Sequence, residues 1–188
     1  MKILDNIDHT VREDLQDTMQ KGSRVSIAAA CFSIYAYQEL KKQLEEIAEF
    51  RFIFTSPTFV QENTPKERRE FYIPKLTREK SLYGTEFEVR LRNELTQKAL
   101  AKECADWVRR KVKFRSNVSG EQMPGFMTVG ESSYMPISGF TTVDLGCERG
   151  NNAYYPVQRT EAFENGRYFL SLFDEIWNDS SRLQDVTD

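Results

Sequence analysis

The chain has 188 residues, 39% of them hydrophobic and 12% aromatic, with a formal net charge of -3. That length suits one compact domain, residues 1–188, with 13 Phe and 8 Tyr to fill its core. No apolar run reaches the roughly 20 residues of a bilayer span, the N-terminus lacks the apolar core of a secretory signal, and Cys31, Cys104 and Cys147 form no CxxC pair. These features predict a cytoplasmic protein with reduced thiols and no membrane partner, and they argue against a disulfide framework or a zinc site.

Leu4, Ile7, Val11, Leu15 and Met19 recur at three- and four-residue steps, which predicts an amphipathic N-terminal helix ended by Gly22. Arg24–Ser33 is short, apolar and flanked by turn residues, so it reads as a buried strand. Tyr35 to Glu49 returns to helical spacing, with Tyr37, Leu40, Leu44, Ile47 and Ala48 on one side, and Phe50–Thr55 reads as a second strand. Strand, helix and strand in that order predict a parallel pair joined by a crossover.

Residues 58–84 are broken by Pro65 and Pro74 and read as a surface excursion. Thr85 is a suitable N-cap for a long helix through Phe87, Leu91, Leu95, Leu100, Cys104, Trp107 and Val108. It ends in basic residues, as the helix dipole favours. Lys113–Arg115 starts another strand. Phe126–Val129 and Tyr134–Ile137 are two more, followed by a turn at Ser138-Gly139 and a polar-capped segment from Thr141 to Gly146. Asn151 to Pro156 reads as loop, and Thr160 to Asn178 as a last helix burying Phe163, Leu170, Phe173, Ile176 and Trp177. The predicted class is therefore α/β, a mixed sheet flanked by helices on both faces. Any functional edge should lie where the strands of Gly125–Gly150 end, since sites in open α/β sheets collect there.

Candidate chemistry is sparse. His9 is the only histidine, and it falls off the apolar stripe, where a solvated surface position is the simpler reading. No His/Cys/Asp/Glu cluster has metal-ligand spacing. Ser138-Gly139 does not complete a G-x-S-x-G elbow, and no GxxxxGK[ST] loop occurs. Two basic clusters remain. Lys66 to Lys80 holds six basic and three acidic residues, with Arg68, Arg69, Lys75 and Arg78 interleaved with Phe71 and Tyr72. Arg109, Arg110, Lys111, Lys113 and Arg115 form the second, with no acid among them. Basic side chains beside aromatic ones suit phosphate neutralisation with base stacking. A charged helix end is also commonly just a solvated end.

The order of these elements, with three local stretches, resembles one half of the phospholipase D superfamily fold. Arg24 to Leu44 is similar to its opening strand and helix, and Phe50–Thr55 to its next strand. Tyr134 to Gly146 resembles the strand that carries the family's glycine-serine-x-asparagine segment, and the ending Phe173–Trp177 its closing helix. Active members carry His-x-Lys-x4-Asp just before that segment. Here the corresponding Met123–Gly130 holds no His, Lys or Asp, and Ser138–Thr141 no Asn. A phosphohistidine cannot form without the imidazole, so no catalytic residue carries over.

More closely, Ser133–Gly146 and Leu172–Asp188 resemble the phospholipase D-like N-terminal domain of bacterial Swi/Snf-type superfamily 2 helicases. The resemblance implies a non-catalytic accessory domain of an ATP-dependent helicase, contacting DNA or a partner protein. It implies no cofactor in this domain, with ATP and Mg in a hydrolase motor beyond residue 188. The alternatives are a phosphodiesterase or nuclease with a rearranged site, completed across a homodimer, and a dimerisation module.

Overall fold

The computed structural model describes residues 1–56, 94–150, 154–164 and 166–187. The strands are β1 (Lys2–Leu4), β2 (Arg24–Ala29), β3 (Glu49–Phe54), β4 (Val112–Asn117), β5 (Phe126–Val129), β6 (Ser132–Met135), β7 (Val157–Glu161) and β8 (Leu183–Asp185). They form one mixed sheet in the order β1-β7-β6-β5-β2-β3-β4-β8. The central β2, β3 and β4 are parallel, with Val25, Phe50 and Val112 level at one end and Ala29, Phe54 and Ser116 level at the other. The remaining pairings are antiparallel. The parallel pair predicted from strand, helix and strand is thus present, and a third parallel strand extends it.

Alternation along the strands decides which helices cover which face. Val25, Ile27 and Ala29 of β2 and Phe50, Phe52 and Phe54 of β3 point to one side. They pack there against α1 (Val11–Thr18), α2 (Ile34–Glu46) and α3 (Glu94–Lys111). Ala28, Ile53 and Phe126 point to the other side and meet Phe173 and Trp177 of α4 (Gly166–Asn178). The protein is therefore a mixed α/β sheet with helices on both faces.

The N-terminal stripe is not one helix. Leu4 belongs to β1, Asn6 takes φ 56°, and Ile7 is 48% exposed. Thr10 starts α1 with a capping box, its hydroxyl accepting from the Glu13 N–H and the Glu13 carboxylate accepting from the Thr10 N–H. Ser33 caps α2 in the simpler way, its Oγ accepting from Tyr35 N–H at 3.1 Å.

The last predicted helix also starts late. Thr160 lies in β7, a short 3-10 turn spans Ala162–Glu164, and Phe163 stands 86% exposed instead of buried. Residues 58–84, and the predicted N-cap at Thr85, lie outside the described residues.

Candidate functional site

The Gly125–Gly150 stretch docks on the outgoing end of β2. Ala30 N–H donates to Ser138 O (2.9 Å), Phe140 N–H to Cys31 O (2.8 Å), and Ser33 N–H to Phe140 O (2.9 Å). Residues 138–140 therefore run beside 30–33 as a short parallel extension of the sheet, with a bridge between Phe32 and Phe140. The two rings stack at 5.6 Å, which holds the extension against the aromatic core.

Two glycines permit this approach. A Cβ on Gly139 would stand 2.7 Å from the Cys31 Sγ and 2.8 Å from an Asp144 oxygen. A Cβ on Gly125 would stand 1.8 Å from the Ile137 backbone oxygen, while the Ile137 N–H donates to Gly125 O at 2.9 Å. Because the obstacle is backbone and cannot rotate away, Gly125→Ala is expected to cost about 2–3 kcal/mol. A urea titration checks this, and an unchanged midpoint would mean that the β5–β6 closure is not as tight as described.

The turn after the extension carries the polar chemistry of this edge. Thr141 Oγ1 donates to Asp144 Oδ2 at 2.5 Å, Tyr155 OH donates to Asp144 Oδ1 at 2.9 Å, and Ser138 N–H donates to the Tyr155 oxygen at 2.8 Å. Burial, and then the Asp144 charge, push the Tyr155 phenol up to about 12. At neutral pH that ring is a hydrogen-bond donor and not a nucleophile. The network ties Ser138, Asp144 and Tyr155 together, and it commits both oxygens of Asp144 to neighbouring hydroxyls.

Arg109, Arg110, Lys111 and Lys113 lie at the opposite end of the parallel strands, whereas Arg115 is level with Ile53 and Ala28 toward the outgoing end. Arg109, Arg110 and Lys111 end α3 just before β4 begins, level with the start of β3. Arg109 pairs with Asp106 at 2.9 Å, Arg110 with Glu45 at 3.1 Å and Lys113 with Glu49 at 2.9 Å, and all three cations remain more than half exposed. Lys111 Nζ donates to the Glu45 and Ile47 carbonyls at 2.5 and 2.6 Å, satisfying the C-terminal end of α2. The Arg115 guanidinium sits 4.4 Å from the Trp177 ring centroid and donates to the Trp177 carbonyl, fastening α4 to the sheet. Lys111 and Arg115 thus have structural duties, while Arg109, Arg110 and Lys113 face solvent. Arg68, Arg69, Lys75 and Arg78 lie outside the described residues. His9 is exposed.

Two polar clusters that no sequence motif marks sit inside the fold. Asp14, only 4% exposed, receives Lys2 Nζ at 2.6 Å, Tyr134 OH at 2.9 Å and Arg159 Nη1 at 3.2 Å. Arg159 also pairs with Glu161, which accepts from Ser132 Oγ at 2.9 Å. One carboxylate thereby joins β1, α1, β6 and β7. On the other face, Arg51 donates to Ser26 Oγ, pairs with Asp174 at 2.8 Å and lies 4.8 Å from the Phe173 ring centroid. Residue spacing could not announce either cluster, because the partners are up to 145 positions apart.

Among the described residues no group of three or more His, Cys, Asp or Glu is placed to hold a metal ion, and no helix is long and apolar enough to cross a membrane. None of the three cysteines is joined in a disulfide among the described residues. Cys104 is buried, and burial pushes it up to about 12, whereas Cys147 is exposed. In native protein a thiol reagent is expected to modify Cys147 and spare Cys104, with Cys104 reacting only in denaturant. Peptide mapping after labelling distinguishes the two, and native labelling of Cys104 would show that α3 opens readily.

Fold and site together define a mixed α/β protein with a hydroxyl-bound carboxylate at one sheet edge and paired cations at the other. No protein-family profile matches the chain, and no curated protein matches it.

Proposed function

We propose that the chain is a phospholipase D-like, non-catalytic accessory domain of a Swi/Snf-type, ATP-dependent DNA helicase or translocase, and that it contacts DNA. The observation that carries the reading is the pairing of the Gly125–Gly150 stretch with the outgoing end of β2. It supports the resemblance because the segments that bear the catalytic motif in active phospholipase D-like proteins correspond to the stretch that meets the parallel strands here. Met123–Gly130 supplies neither imidazole nor ammonium, so a contact function rests on surface and charge.

The cations suited to phosphate are Arg109, Arg110 and Lys113, each of which would exchange an exposed or half-buried carboxylate for a phosphate oxygen. Arg68, Arg69, Lys75 and Arg78 complete the proposed contact set. In this reading the protein works in the cytoplasm, and ATP and Mg belong to the motor beyond residue 188.

A fluorescence-anisotropy titration against single- and double-stranded DNA tests it. Binding is expected at low salt and weakens as salt rises. Replacing Arg109, Arg110 and Lys113 together by Gln should flatten the plot of log K against log salt by about 2–3. Absence of binding to either DNA at low salt would remove the DNA contact and leave a protein partner as the accessory role. Sedimentation then separates self-association from a different partner.

A further inference from the structure

No further inference is drawn: the strongest candidate, the exposed aromatic pair Phe163 and Tyr168 where the chain turns from β7 into α4, is an unpartnered apolar surface, and nothing in the structure shows what covers it.

Discussion

Trp107→Ala is expected to cost about 4–5 kcal/mol, the upper part of the range for removing a buried aromatic ring. The side chain is fully buried, and its ring meets Tyr37 at 5.0 Å, Phe50 at 5.1 Å and Phe32 at 6.4 Å. Its indole N–H donates to Leu44 O at 3.0 Å, so truncation opens a cavity and also orphans a buried carbonyl. Trp107 thus holds α3 to both α2 and the sheet. Trp107→Phe keeps most of the packing and loses the hydrogen bond, so about 1–2 kcal/mol should be lost there. Typical domains are stable by about 5–15 kcal/mol, so the Ala variant should lose between about a third and nearly all of its stability. Urea midpoints for the two variants provide the measurement. A loss below about 1 kcal/mol for Trp107→Ala would contradict the packing of α3 on the sheet.

The elements that were legible in the sequence are those whose burial is uniform. In β2 and β3 every residue after the first is buried, and all but Ser26 and Arg51 are apolar, so a nearly continuous apolar run marks them. In α2 the buried residues Tyr37, Leu40 and Leu44 keep helical spacing against one surface. The strands toward the two ends of the sheet order had no such mark. β7 reads Val-Gln-Arg-Thr-Glu, and its hold on the sheet comes from backbone pairing and from Arg159 reaching Asp14. β8 is three residues long, with one buried side chain.

At the N-terminus two patterns competed. A three- and four-residue apolar spacing pointed to one helix, whereas the structure starts α1 inside that stretch with the Thr10–Glu13 capping box. The capping box prevailed because Asp5 Oδ1 accepts from Ile7, Asp8 and His9 N–H, which holds the preceding residues in a turn.

The candidate edge was legible as a place and not as chemistry. Ser138-Gly139 and the Thr141–Gly146 segment stood out by their turn residues; residues 138–140 run beside 30–33 just beyond β2, and Leu145 O accepts from the Arg12 N–H at the start of α1. Asp144 and Tyr155 did not stand out, since their contact joins residues 11 positions apart that no motif links. The Thr141–Asp144 spacing was the available signal, a hydroxyl three residues before a carboxylate. For the basic cluster, composition identified the charges but not their partners. Glu45 precedes its partner Arg110 by 65 residues and Glu49 precedes Lys113 by 64, and only the α2–α3 contact and the β3–β4 pairing bring them together.

Asp14 sets the acid side of stability. Burial alone would raise its carboxyl, but hydrogen bonds from Lys2 and Tyr134 and the Arg159 charge outweigh burial and hold it below its ordinary value of 3.8. A carboxyl lower in the folded than in the unfolded chain contributes stability that is complete above the unfolded value. That contribution is lost as pH falls through the folded value. Glu49 and Asp185 are lowered in the same direction, so acid weakens the fold at several places at once.

Asp14→Ala should cost about 3–4 kcal/mol near pH 7, because it leaves Arg159 with Glu161 alone and strips the acceptor from the buried Tyr134 hydroxyl. Asp14→Asn preserves the shape and should cost less. Its deficit relative to the native chain should also shrink as pH is taken below about 4, since only the native chain has a carboxylate to lose there. Urea unfolding of the native chain and Asp14→Asn at pH 7 and pH 3 makes the comparison. A deficit that stays constant across that interval would mean that the charge of Asp14 does not stabilise the β1–α1–β6–β7 junction.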